Sequence, residues 1–337
     1  VFGLSFICAL SGTCLFLAWR SRKMISYITY AVILTTLWGG GDILISTQWV
    51  ARASEEPLDV AIVQPNVPQE YKWDPSWYPR ILNQLQDVTN PLMGHDIVIW
   101  PESAVPDYFQ RAQGFLAPID GRATETDTAL VTGIPWGTED GKKYFNSMTV
   151  LGFGEGVYHK RRLVPFGEYV PLEDLLRGLI YFFDLPMSAF SSGPEAQAPL
   201  RAGPWRIAPF ICYEIVYGGM VAKSARDTDL LITVSNDTWF GDSIGPWQHL
   251  QIAQMRAREN GRFVLRGTNN GISAIIDQQG RIVSRSEQFE DTVLTGKAEA
   301  MLGSTPFGSF GNTPILTACA AVLLLMWLLY RVFWRDE

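Results

Sequence analysis

Three long stretches without a charge confine what this chain can fold into. Residues 1–19, 24–41 and 300–330 contain no Asp, Glu, Lys or Arg, and all three lie towards the ends of the 337-residue chain. A helix of about 20 apolar residues crosses the hydrocarbon core of a bilayer. The segments 1–19, 24–45 and 313–330 therefore read as three membrane helices. Buried core helices are the alternative, but the bordering Trp19, Trp49, Trp327 and Trp334 favour membrane spans, because indole rings settle at the lipid–water interface. A secretory signal peptide fits poorly: there is no initiating Met, no basic leader, and a second span follows. A chain that opens on Val reads as a piece of a longer protein with further spans upstream.

Basic residues flank the spans at Arg20, Arg22 and Lys23 and again at Arg331 and Arg335. Such residues stay on the cytoplasmic side. The intervening segment 51–299 is then expected outside the inner membrane, in the periplasm. The expected division is two transmembrane helices in 1–50, a catalytic domain in 51–299, and a linker, transmembrane helix and short cytoplasmic tail in 300–337.

The soluble part holds 22 Lys+Arg against 31 Asp+Glu, a net of −9. Phosphate binding rests on clustered Lys and Arg, so an acidic domain without a basic run excludes nucleic acid as a partner. Cys8, Cys14 and Cys319 fall in the apolar ends and only Cys212 in the soluble part, so no disulfide can form within that domain. His95, His159 and His249 lack the close Cys/His spacing of a zinc site, and no metal is expected. A single thiol in an oxidising compartment suggests reactivity more than structure.

Short apolar runs at 59–64 and 96–100 read as buried strands, with further strands at 129–134, 146–151, 205–211, 229–235, 263–266 and 272–277. Helical spacing appears at 76–88, 106–117, 215–226 and 247–260. Strands alternating with helices predict an α/β layered domain. The segment 181–200 sets aromatic and Met residues among loop formers; it is either packed on its own domain or in contact with lipid or an acyl chain.

Three residues stand where chemistry could occur. Cys212 follows the 205–211 strand and precedes the 215–226 helix, whose positive end is expected to lower the thiol pKa. Alone, such a cysteine is also a common buried structural residue. Glu102 lies just past a strand in Trp100-Pro-Glu-Ser, at the sheet edge where α/β domains bind ligands. A carboxylate there could take the thiol proton and later activate a second nucleophile; the other reading is a carboxylate at the start of the 106–117 helix. Lys160 sits in a basic cluster before Val-Pro-Phe-Gly-Glu168; its ammonium could stabilise an oxyanion while Glu168 pairs with it, although basic runs are usually solvated.

Together, Trp-Pro-Glu-Ser around Glu102, His-Lys then Val-Pro-Phe-Gly-Glu, and Ile-Cys-Tyr-Glu around Cys212 resemble the Glu-Lys-Cys triad of the nitrilase, or carbon–nitrogen hydrolase, superfamily. Within it the wording is similar to the apolipoprotein N-acyltransferase family, through Gln64-Pro-Asn-Val-Pro68, Lys72-Trp73, Leu185-Pro-Met-Ser188, Ser235-Asn-Asp-Thr-Trp-Phe-Gly241, Ile244 to His249 and Thr268-Asn-Asn-Gly-Ile272. The resemblance implies an αββα sandwich flanked by transmembrane helices. It implies transfer of an acyl group from a membrane phospholipid, through a Cys thioester, to the N-terminal amine of a diacylated apolipoprotein, with no cofactor. Cys212 would be the nucleophile, Glu102 the general base and Lys160 the oxyanion stabiliser. Glu168, Tyr213 and Glu214 would support them, and Trp73 and Trp239 would lie at the substrate entrance. The family has about eight spans, whereas three are visible here.

Two other enzyme readings fit parts of the sequence. A membrane-anchored amidase would keep the triad and use water as acceptor. Gly241-Asp-Ser-Ile-Gly245 formally matches a serine-hydrolase elbow, but Pro246 follows it and no acid lies between Ser243 and His249, so it reads as a loop. A catalytically inert binding module on the same fold is disfavoured by the joint presence of Glu102, Lys160 and Cys212.

Overall fold

The computed structural model describes residues 2–165, 167–169 and 190–333. The chain divides into two compact units, Val50–Gly308 and, separately, Val1–Trp49 with Ser309–Glu337. The smaller unit is helical. Its helices α1 (Phe2–Ser21) and α2 (Met24–Ile45) are both long and apolar enough to cross a membrane. Trp38 donates to Ser11 across the pair, at 3.1 Å. Cys14 is the one buried side chain of α1 and α2 has none, so these two apolar helices leave most of their Leu, Ile and Phe surface uncovered, an arrangement stable in lipid and not in water. The apolar part described in the C-terminal helix, Thr313–Leu328 of Thr313–Phe333, is shorter.

The larger unit contains β1 (Val50–Arg52), β2 (Leu58–Gln64), β3 (Ile97–Ile99), β4 (Ala129–Gly137), β5 (Tyr144–Gly152), β6 (Gly154–Glu155), β7 (Val157–His159), β8 (Leu200–Ala202), β9 (Trp205–Ile211), β10 (Leu230–Ser235), β11 (Val264–Thr268), β12 (Ala274–Ile276), β13 (Ile282–Arg285), β14 (Thr292–Ala298) and β15 (Met301–Gly303). One sheet runs in the order β14-β2-β3-β4-β5-β7 and the other β13-β12-β11-β10-β9-β8-β6; β1 pairs with β15. Helices Tyr78–Thr89 and Gln113–Glu125 cover the outer face of the first sheet, and Gly218–Ala225 and Gly245–Asn260 that of the second.

Side-chain alternation explains these layers. Val60, Ile62, Ile97 and Ile99 point inward and meet Ile207, Ile211, Ile232, Val234 and Leu265 of the opposite sheet. Their neighbours Ala61, Val63 and Val98 point outward against Ile81, Leu85, Leu116 and Ile119. Strands buried on both faces must be apolar at every position, and β2, β3 and β10 are nearly so. The result is the αββα sandwich the resemblance implied.

Two expectations need correction. The 106–117 helix instead begins at Gln113, because the amide of Phe109 is drawn to the carbonyl of Pro135 in β4, at 2.8 Å, and Tyr108 to Ala112 form turns. The 215–226 helix is split into a 3₁₀ turn, Cys212–Val216, and the helix Gly218–Ala225.

Candidate active site

Strand ends converge on one edge of the sandwich. β3 and β4 run parallel, as do β9 and β10. β7 is antiparallel to β5, itself antiparallel to β4, so β7 shares their direction. Glu102, Lys160, Cys212 and Asn236 each follow the C-terminal end of one of these strands, the edge at which α/β sheets place reactive groups.

Glu102 is buried, and glycine makes its position possible. A Cβ on Gly133 of β4 would lie 2.7 Å from the Glu102 Cα and 2.8 Å from the Pro101 carbonyl, so the chain passes there only because no side chain does. Ser103 takes a left-handed φ of 49° to complete the turn. The Glu102 carboxylate then accepts from Asn146 Nδ2 at 2.7 Å through Oε1, and from the backbone amide of Asn236 at 2.8 Å through Oε2. It does not open a helix, which removes the capping explanation.

Lys160 is 1% exposed, and its Nζ lies 2.8 Å from Glu168 Oε1 and 3.7 Å from Glu102 Oε1. The solvated-surface reading of this basic cluster therefore fails at Lys160. Burial alone would pull its pKa down, but Glu102 and then Glu168 outweigh that and hold it above the ordinary lysine range, fully charged. Glu168 is fixed in turn: its Oε2 accepts from the amide of Val164 at 2.9 Å, and Asn146 Nδ2 reaches its Oε1 at 2.9 Å. One asparagine thus ties the two carboxylates together around one ammonium.

Cys212 occupies a left-handed backbone conformation, φ 52°, which costs a non-glycine residue about 1–3 kcal/mol and marks functional turns. Burial pushes its thiol well above the ordinary range; Glu102 adds to the rise and Lys160 opposes it. The expected lowering by a helix end does not occur, since the turn that follows is a five-residue 3₁₀ segment. The resting group is a thiol, which needs a base.

Glu214 lies beneath this turn, fully buried. It accepts from the amides of Ile211, Arg161 and Arg162 at 2.9, 2.7 and 3.1 Å and from the Tyr158 hydroxyl at 2.9 Å. Burial raises its pKa above the usual carboxylate range against the pull of those bonds. It binds the cysteine turn to the segment that carries Lys160. Tyr213 is 42% exposed, edge-on to Tyr217 at 5.7 Å.

Trp73 follows Lys72, whose buried Nζ donates to the Glu102 carbonyl at 2.9 Å. Trp239 is 64% exposed, three residues past Asn236, which holds Glu102. Ser243 sits in an exposed loop, where its Oγ accepts from the amide of Gly245 at 3.1 Å, and it is no elbow serine. Of the apolar 181–200 segment, 181–189 and the Leu185-Pro-Met-Ser188 match lie outside the described residues, and Phe190 is buried.

Sequence reasoning missed Asn146, the site role of Lys72, and the cluster of Asp237, His249 and Arg266 under the cysteine turn. A buried Asn within an apolar strand, and a lysine beside an apolar turn, were the available signals.

Residues 59–307 match the carbon–nitrogen hydrolase family along nearly all of the larger unit. The chain belongs to that family. As a carbon–nitrogen hydrolase it is similar to the apolipoprotein N-acyltransferase of Pseudomonas aeruginosa, 48% identical over 91% of this chain and 60% of the relative. It is also similar to the one from Pseudomonas putida, 46% identical over 97% and 65%. The chain thus spans under two thirds of these relatives' length. Among solved structures, a carbon–nitrogen hydrolase superfamily protein from Xanthomonas campestris with an arsenic adduct in its active site covers 72% of this chain and 91% of its own, at TM-score 0.55 and 21% identity. An amidase mutant from Nesterenkonia matches at TM-score 0.55 and 18% identity, over 80% of this chain and 99% of its own. These two share the fold.

Proposed function

We propose that the chain performs the chemistry of an apolipoprotein N-acyltransferase: a fatty acyl chain moves from a membrane phospholipid, through a thioester on Cys212, to the N-terminal amine of a diacylglyceryl-cysteine. The observation that carries this reading is the 48% identity over 91% of the chain to a protein of that name. The buried Glu102–Lys160–Glu168 cluster supports the chemistry.

Glu102 takes the thiol proton, and the thiolate attacks the phospholipid ester carbonyl. The Lys160 ammonium, held by Glu168, faces the oxyanion of the tetrahedral intermediate. Collapse breaks the ester C–O bond, and Glu102 returns the proton to the departing lysophospholipid oxygen. The amine then attacks the thioester, Glu102 accepts its proton and passes it to the departing sulfur as the C–S bond breaks, which restores the thiol and the carboxylate. A thioester divides one hard transfer into two easier ones.

Tyr213 and Glu214 support the cysteine turn, and Trp73 and Trp239 line the entrance for the acyl donor. The apolar helices anchor the chain in the inner membrane as a multi-pass protein, with the 51–299 domain facing the periplasm. No metal or cofactor takes part in the proposed steps.

The detergent-solubilised protein incubated with phosphatidylethanolamine should form a hydroxylamine-sensitive acyl adduct, lost in Cys212→Ala. Glu102→Gln should slow it by about 10²–10⁴-fold, the contribution of a positioned base. Adding a diacylated lipopeptide should yield triacylated product. Release of free fatty acid without that product would make water the acceptor and replace the transferase by a hydrolase, and labelling that survives Cys212→Ala would remove the thioester.

A further inference from the structure

Beneath the cysteine turn lies a second buried polar cluster that the proposed mechanism does not use. His249, 6% exposed on the helix Gly245–Asn260, places Nε2 3.1 Å from the Cys212 carbonyl and Nδ1 3.1 Å from Asp237 Oδ1. Asp237 Oδ2 accepts from Arg266 Nη2 at 2.5 Å, and its Oδ1 also accepts from the Ser235 hydroxyl at 2.9 Å. Arg266 is fully buried, its Nε donating to the Ile272 carbonyl at 3.1 Å. A Cβ on Gly271 would lie 2.8 Å from the Asp237 Cβ, so that glycine admits the carboxylate.

A carbonyl only accepts, so Nε2 carries the proton and donates to Cys212. On the other side of the ring, Nδ1 has both a carboxylate acceptor and, 3.2 Å away, a guanidinium donor. Either protonation state of Nδ1 finds a partner, and the Nε2 donor survives in both.

We propose that His249, oriented by Asp237 and Arg266, is a positioning residue that locks the Cys212–Tyr213 peptide against its strained left-handed backbone. The peptide is planar and trans, so fixing its carbonyl toward His249 aims the Tyr213 amide N–H at the opposite side. That N–H is a backbone donor one residue from the thiol, and its direction decides whether it can meet a developing oxyanion. The inference rests on the proposed role of Cys212 as nucleophile.

The test compares His249→Leu, which removes the donor, with His249→Gln, whose amide reaches the Nε2 position, and His249→Asn, whose shorter amide reaches only the Nδ1 position. Single-turnover acyl-adduct formation from phosphatidylethanolamine is measured beside iodoacetamide alkylation of the Cys212 peptide, read by mass spectrometry. Alkylation uses the thiol but develops no oxyanion. Leu and Asn should slow acylation about tenfold or more, as expected for a buried carbonyl stripped of its donor. Alkylation should change less than about threefold, and Gln should recover most of the rate. Unchanged acylation in Leu and Asn, or equal losses of acylation and alkylation, would overturn the role. If Leu fails to fold, the Gln–Asn contrast decides alone. An adduct surviving Cys212→Ala would mark the failure of the nucleophile reading and take this inference with it.

Discussion

Lys72 is a lysine ammonium 3% exposed, with its hydrogen bond going to the Glu102 carbonyl. Burial lowers its pKa to about 8, against a smaller upward pull from Glu102. The unfolded chain holds the lysine proton up to about 10.5, so between about 8 and 10.5 it binds the proton more tightly than the fold does. Stability from this group therefore rises with pH across that window, and the full penalty is present below it. We expect the stability of wild type relative to Lys72→Met to rise by roughly 3 kcal/mol from pH 7.5 to 10.5, following the shift at 1.36 kcal/mol per unit. Cys212 and Tyr158, both held above their ordinary values by burial, titrate in both proteins and cancel in the difference. Denaturation at several pH values measures it, and a flat difference would show that Lys72 is solvated or neutral. The same residue shows what a sequence leaves unsaid. Glu102 and Cys212 could be picked out because each follows a readable strand, and Lys160 because it stands in a basic cluster before Val-Pro-Phe-Gly-Glu168, but nothing in the chain states that Lys72 will be desolvated against Glu102, or that Asn146 will bridge two carboxylates, since both depend on contacts between distant segments.

At the scale of elements, strands buried on both faces were legible and half-exposed ones were not. β2 and β10 are nearly continuous apolar runs, whereas β14 reads Thr-Val-Leu-Thr-Gly-Lys-Ala with mixed exposure and becomes a strand only by pairing with β2. The helix expected at 106–117 starts late because the chain ahead of it is tied to β4, through Ala104 N to Gly133 O at 3.0 Å and Phe109 N to Pro135 O at 2.8 Å, and then turns at Tyr108 to Ala112. β4 is thus the template that holds Glu102, and Gly133 is its contact point. Gly133→Ala puts a methyl into backbone atoms that cannot swing away. We expect a loss of about 1–3 kcal/mol, the usual cost of overpacking. Acyl-adduct formation should fall at least about tenfold, because a displacement near 1 Å at a reacting group has been worth up to ~10²-fold. Gly121→Ala, in the helix Gln113–Glu125 with open space around it, should leave activity unchanged and stability equal or slightly higher. Similar behaviour in the two alanine variants, by thermal melts and adduct assay, would show that the Glu102 loop adjusts freely.

For the whole molecule, on the proposed function, charge and apolar surface set how a lipid donor is captured. The 51–299 segment carries a net −9, and an anionic lipid surface repels it, so electrostatic attraction cannot supply the affinity. Apolar groups remain, and Trp239 at 64%, Ile244 at 68%, Trp247 at 43% and Phe240 at 42% exposure are large side chains left in solvent within one short segment. Trp100, by contrast, is fully buried with its indole donating to Thr89, so the exposed rings are not a general property of this domain's tryptophans. On the proposed reading Trp239 meets the acyl donor before chemistry begins. Withdrawing roughly 60 Å² of indole surface from water is worth about 1.5 kcal/mol, close to tenfold in affinity. Trp239→Ala should therefore raise KM for phosphatidylethanolamine in mixed micelles by up to about tenfold and change kcat much less, with Trp239→Phe recovering most of the loss and melting temperature unchanged in both. Because the contact is apolar, raising salt from low to near-physiological strength should not raise KM, since screening weakens only the repulsion. A Trp239→Ala enzyme with wild-type KM and depressed kcat would place the ring at the reacting atoms, and a KM that climbs with salt would show that the donor is held by charge.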